Sequence, residues 1–414
     1  MQSGWRIWSL VGWLLEMTRP SVAEYMAALF EPLVEAAGRP DWANQLKTAP
    51  LPKERQISQY RRLAKINEFG GVPLPLVSDS FIYRFRHDEG WYLCVETENL
   101  TSDGKDRLNS WAASNQLIQQ EGVEEAAFLF LAYNAKDYFR PKSIHLSRKA
   151  ADDILGITDQ DYGGHNIYEV QRWYRDITVF GIPEDNVFRS VTGYGIAASL
   201  ASAVVEFRSP LVSPPLASAI AQLAQLPNVN PENLFFALTS THWKYIVVEI
   251  YKCLEAAFYL PWVKSLRDAL GHQMSALSMA QQCKASLRWR ENERESLYAL
   301  FSLLPEACVK TPAIKATVTF SDLLGEKTTT SVYAERVYRI RNQIVHQFDY
   351  EGRVPLKIPT SVWPVLALYL CEIVRFLYST YAADLDYTFA LNETDATFAS
   401  ADDARNSGGN SGNI

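Results

Sequence analysis

At 414 residues the chain is too long for one core of ordinary size and suits two or three domains. Hydrophobic residues at 48% against 21% charged exclude a globally disordered protein. A net charge of −7 excludes a protein that coats nucleic acid through its overall field, and leaves room only for a small nucleic-acid site.

The N-terminal stretch Trp5 to Met17 is apolar but short, carries Arg6 and lacks a small-residue cleavage site, so it fits neither a secretory signal nor a spanning helix. Trp5, Trp8, Gly12 and Leu15 share one helical face, which suggests a docking helix. The first part of the chain, to about Glu68, reads as helical; Val22 to Ala37 has apolar residues at helical spacing, and Gly38 followed by Pro40 stops it. From Val72 to Ile144 the pattern turns strand-like. Runs at Phe81 to Phe85, Trp91 to Val95 and Ala127 to Leu131 read as strands, with a helix over Leu108 to Gln120. Ile177 to Ser209 adds further strand-like and Gly-containing segments, and the chain is then punctuated by Ser209-Pro210, Ser213-Pro214-Pro215, Pro227 and Pro231.

After Glu232 the chain is helical almost to its end. Helices are predicted over Leu234 to Tyr259, Trp262 to Met279, Ser286 to Leu304, Val332 to Phe348 and Ser361 to Ala383, with a polar loop or short hairpin at Thr311 to Thr330. The apolar run Val362 to Tyr378 contains Glu372 and Arg375, charges that are costly in lipid, so no membrane is expected and the address is cytoplasmic. The segment from about Asn392 has little to bury and is expected to be disordered. The expected organisation is therefore α+β overall: an N-terminal mixed α/β domain over residues 1–230, a helical domain over 231–390 and a tail over 391–414.

Five cysteines, Cys94, Cys253, Cys283, Cys308 and Cys371, form no C-x-x-C pair and read as reduced, mostly buried thiols. No carboxylate and histidine cluster suggests a metal, and no cofactor is expected. The chemistry concentrates in Arg341-Asn342-Gln343-Ile344-Val345-His346. Val337, Ile340 and Ile344 give their helix a buried stripe. Asn342 and His346 lie four apart on another face, and Arg341 can reach the same cleft. These residue types suit RNA transesterification, in which the 2′-hydroxyl attacks the adjacent phosphate. A histidine with an ordinary pKa of ~6.5 can give or take the proton. An arginine can bind the phosphate oxygens as charge builds on them. The asparagine can orient the imidazole or the ribose.

On a penultimate helix of a C-terminal helical unit, this run resembles the R-x4-6-H motif of HEPN domains, over about 150 residues from Glu232 to Ala383. The resemblance implies an all-α bundle acting as a metal-independent endoribonuclease that leaves a 2′,3′-cyclic phosphate, in a bacterial antiviral defence or toxin system. It also implies a homodimer through the helical domain, an RNA substrate and a phage-derived or partner-protein activator, with the N-terminal half as sensor or restraint. By the same analogy an acidic residue on an early helix steadies the site, and Glu249 or Glu255 is the candidate.

The bare spacing of Arg, four residues and His occurs three times. Arg140 to His145 contains Pro141 and is set aside. Arg267-Asp268-Ala-Leu-Gly271-His272 competes, but it precedes further helices and Gly271 weakens its helix. Arg341 to His346 is therefore favoured. Two other readings stand beside it: a helix end whose Asn342 and His346 merely cap or solvate the last turn, and a non-catalytic HEPN-fold binding or adaptor protein. The acid-bearing segment Asp88-Glu89 through Glu96-Thr97-Glu98, followed by Ala127 to Lys136, could suggest a metal-dependent nuclease, but the acid-x-lysine ending is missing, since the strands end Glu96-Thr97-Glu98 and Asn134-Ala135-Lys136. His165 reads as a loop residue, and Trp173-Tyr174 as buried packing rather than a base-stacking surface.

Overall fold

A computed structural model describes residues 22–42, 45–47, 68–77, 80–87, 90–120, 125–136, 139–142, 161–287, 292–309, 330–345 and 358–385. The expected docking helix at Trp5 to Leu15 and the tail lie outside them, as does the polar loop or hairpin expected at Thr311 to Thr330 apart from Thr330 itself, which opens a helix. The fold is α+β, with an N-terminal five-stranded antiparallel sheet and a helical C-terminal part. Its contacts divide it into two units. One comprises Met1–Pro73, Asp79–Leu100 and Ala112–Arg189; the other comprises Leu74–Ser78, Thr101–Trp111 and Ser190–Ile414. The division at Arg189 falls upstream of the punctuation at Pro227 and Pro231.

In chain order the elements are α1 (Val22–Ala36), β1 (Glu68–Leu74), β2 (Ser80–His87), β3 (Gly90–Glu96), α2 (Ser102–Ser114), β4 (Ile118–Gln119), α3 (Glu125–Asn134), α4 (Ile167–Gln171) and β5 (Ile177–Ile182). The strand order is β1-β2-β3-β5-β4. β2 and β3 form an antiparallel pair with Tyr83 opposite Cys94, and β3 pairs β5 with Cys94 opposite Val179. The alternation of β2 sends Phe81, Tyr83 and Phe85 to one face, where they join Leu29, Phe30 and Leu33 of α1 and Phe128 to Ala132 of α3 in one core. Tyr174 closes this core by donating its hydroxyl to the Leu29 carbonyl.

The strand expected at Ala127 to Leu131 is instead part of α3. All six residues from Ala127 to Ala132 are buried, so the helix is apolar all round and shows no period of 3.6 by which to recognise it. Two further corrections fall nearby. The helix expected over Leu108 to Gln120 starts earlier and gives way to β4, and the strand-like stretch after Ile177 keeps only β5 before a helix begins at Gly193.

That helix is α5 (Gly193–Ala203), followed by α6 (Pro214–Ala224), α7 (Pro231–Thr239), α8 (Trp243–Glu255), α9 (Leu260–Leu270), α10 (Ala276–Leu287), α11 (Glu293–Ser302), α12 (Glu306–Val309), α13 (Thr330–Val345) and α14 (Val362–Thr380). Pro214 and Pro231 open their helices, because a first-turn N–H has no helical partner to lose. The single helix expected over Leu234 to Tyr259 breaks into α7 and α8, with the His242 side chain accepting from the Lys244 N–H at the new start. Likewise, the helix expected over Trp262 to Met279 stops at Leu270. Gly271 there adopts a left-handed φ of 62°, and the His272 N–H bonds back to the Arg267 carbonyl.

α14 is long and apolar enough by composition to cross a membrane, yet it is mostly buried, against α6, α8 and α12. The five cysteines are free thiols, three of them buried. Leu131→Ala, which empties a fully buried position in α3, is expected to cost about 2–5 kcal/mol. Urea unfolding followed by near-ultraviolet circular dichroism would measure it.

Candidate active site

α13 buries Tyr333, Ala334, Val337 and Ile340. Ile344 is only half-buried, so the apolar stripe fades toward the C-terminal turn and polar groups take over. Arg341, just before this turn, reaches α8 and α11. Its Nη2 donates to Glu255 Oε1 at 2.7 Å, its Nε lies 3.1 Å from Glu293 Oε1, and its Nη1 donates to Asn342 Oδ1 at 3.0 Å. The guanidinium also sits 5.7 Å from the centre of the Tyr251 ring, within the range of a cation–π contact.

With only 17% of its side chain exposed, Arg341 depends on these partners for its charge to be tolerated. Burial alone would lower its pKa, but the Glu255 hydrogen bond and the Glu293 and Glu255 charges outweigh it and push the value further up. Tyr251 donates its hydroxyl to Glu293 at 3.2 Å. Burial, reinforced by the Glu293 and Glu255 carboxylates, drives its phenol pKa upward, so it remains a donor at any working pH.

The structure thus brings Arg341, Asn342 and Glu255 together and adds Glu293 and Tyr251, which carried no signal in the sequence. Glu293 is the first residue of α11 and follows the Asn292 cap; nothing in its surroundings forms a motif, and only the fold carries it to Arg341. Glu249 does not join. Its carboxylate pairs with Lys252 at 2.7 Å, on a different face of α8 from Glu255. His346 lies outside the described residues.

A second reciprocal contact stitches the same two helices. Arg294 Nε of α11 reaches Glu335 Oε2 of α13 at 3.0 Å, and the Tyr298 hydroxyl donates to the same oxygen. α11 and α13 thus exchange ion pairs in both directions, which fixes their register.

The competing motif is arranged differently. Arg267 lies in the last turn of α9 and is bound by Asp268 and Asp384. His272 lies beyond the Gly271 cap, is exposed, and uses Nδ1 to accept from the Met274 N–H. The helix ends between the two residues and they share no face. Of the third occurrence, Pro141 forms an isolated bridge with Tyr174 rather than part of a helix.

The acid-bearing strand end is also internally satisfied. Glu96 is fully buried at the end of β3 and accepts from the Ser80 hydroxyl and, at 2.8 Å, from the Glu98 N–H. Glu98 in turn accepts from the Asp176 N–H, and Lys142 bridges Glu98 and Asp176. Lys136 follows α3 rather than a strand, and the described residues hold no group of three or more ligands suited to a metal ion. His165 is buried among Phe30, Tyr162 and Trp173, and Tyr174 is buried as well.

Burial raises the Glu96 pKa against the opposing pull of Ser80, the Glu98 N–H and Arg175. The folded chain therefore holds this proton more tightly than the unfolded chain. Its contribution to stability is greatest below the ordinary value of 4.5 and declines as the pH rises through the raised value. Glu96→Gln should remove this slope. The unfolding free energy of the variant relative to wild type is expected to be higher near neutral pH than at about pH 4, as read from urea midpoints across that range.

In comparisons with known proteins, no family model, no curated protein and no solved structure matches this chain.

Proposed function

We propose that the helical C-terminal part is a HEPN-like bundle acting as a metal-independent endoribonuclease. The observation that carries this reading is the placement of Arg341 and Asn342. They sit hydrogen-bonded to each other near the C-terminal end of α13, the penultimate α-helix described, with Glu255 of α8 fixing the guanidinium. A guanidinium has five N–H donors. Nε, one N–H of Nη1 and one of Nη2 are engaged, which leaves a donor on each terminal nitrogen for a phosphate oxygen.

In this mechanism Arg341 binds the scissile phosphate and offsets charge as the 2′-oxygen attacks phosphorus and the P–O5′ bond breaks. Asn342 orients the reacting groups, and His346 transfers a proton to or from the reacting oxygens. The products are a 2′,3′-cyclic phosphate and a 5′-hydroxyl. By family analogy the setting is bacterial antiviral defence or a toxin system in the cytoplasm, with a homodimer through the helical part and a phage-derived or partner-protein activator. The N-terminal half then serves as sensor or restraint.

One observation favours a second reading. The contacts of Arg341 with Glu255 and Glu293 join three helices, and such a clasp suits a non-catalytic HEPN-fold adaptor as well.

Cleavage of total and defined RNAs in EDTA separates the two. Wild type is expected to cut, Arg341→Ala and His346→Ala to lose at least about a hundredfold in rate, and His272→Ala to cut as wild type does. Loss in His272→Ala alone would move the site to the other motif. Equal cutting by all four proteins would point to a contaminant, and no cutting even with candidate activators would favour the adaptor.

A further inference from the structure

We propose that Glu293 is an internal restraint on Arg341, a carboxylate held against the guanidinium Nε whose charge weakens the hold of Arg341 on an RNA phosphate until it lets go. The proposal takes its ligand class from the ribonuclease reading. Its basis is the charge balance of the cluster. Arg341 contributes one positive charge, Glu255 and Glu293 contribute two negative charges, and Asn342 and Tyr251 are neutral. The site as it stands is therefore net negative and repels a phosphodiester. With Glu255 alone the pair would be neutral, so the second carboxylate is what makes the cluster net negative.

The geometry also separates the releasable partner from the fixed one. Glu255 ends α8, and α8 is tied to α14 close by, through the Tyr378 hydroxyl and the Cys253 carbonyl at 3.0 Å. Its contact with Arg341 is the shorter of the two. Glu293 opens α11 and has two compensations that remain if Arg341 departs. The Tyr251 hydroxyl keeps donating to it, and the N-terminus of α11 favours an anion at this position. Releasing Glu293 therefore leaves no stranded carboxylate.

Glu293→Gln keeps the shape and the hydrogen-bonding oxygen while removing the charge. The test uses the full chain and a fluorescent single-stranded 2′-O-methyl oligonucleotide pool, which cannot be cleaved by 2′-hydroxyl attack, with binding read by anisotropy at low salt. Glu293→Gln is expected to bind about tenfold more tightly than wild type. The gain should disappear in the double variant with Arg341→Ala. Glu335→Gln loosens the same α11–α13 interface without touching Arg341, and it should leave affinity unchanged.

The proposal is overturned if Glu293→Gln binds no better than wild type, if Glu335→Gln gives an equal gain, if the gain survives loss of Arg341, or if no variant binds. Cleavage of natural RNA measured in parallel separates this proposal from the nuclease reading. Tighter binding that depends on Arg341, with no cleavage, keeps the restraint and removes the nuclease; cleavage by wild type with no tightening does the reverse.

Discussion

Eleven of the nineteen residues of α14 are buried, spread over more than one face, and no single neighbour can cover so wide an apolar surface. The helix therefore has to be surrounded, and α6, α8 and α12 pack around it with the short helical turn Ala382–Leu385. This requirement organises the helical unit. α8 is pinned to α14 by packing and by the Tyr378 hydrogen bond to the Cys253 carbonyl, and that pin sets the position of the nearby Glu255. The carboxylate that meets Arg341 thus owes its place to a hydrophobic constraint several residues away.

The second constraint is electrostatic. A half-buried guanidinium is stable only where its charge and donors are met, and here three helices supply them. The crossed pairs, Arg341 with Glu293 and Arg294 with Glu335, lock α11 against α13 in one register, since a slip of either helix would break both. The aromatic rings of Tyr251 and Tyr298 extend this pattern. Each lies under an arginine and donates its hydroxyl to the carboxylate that the arginine pairs with.

How much of this could be read from the sequence depended on the local signal. β2 and α1 were legible because their polar and apolar residues recur at the strand or helix period, and β3 as a short apolar run rich in aromatic residues, whereas α3 was not, being apolar on every side. Pro214 and Pro231 were read as breaks and prove to be helix starts, because the same missing N–H that ends a helix costs nothing in its first turn. At the site, Arg341, Asn342 and Glu255 were named from residue type and family resemblance. Glu293 and Tyr251 were invisible, since their importance lies in a contact across the bundle rather than in any spacing along the chain.

The order in which these partners occur along the chain has a consequence for synthesis. Glu255 on α8 and Glu293 on α11 leave the ribosome well before Arg341 on α13. Until α13 is made, the two carboxylates lack the cation that they share in the folded chain. The cluster can therefore be completed only once α13 has been made, because α13 alone brings the cation that both carboxylates meet.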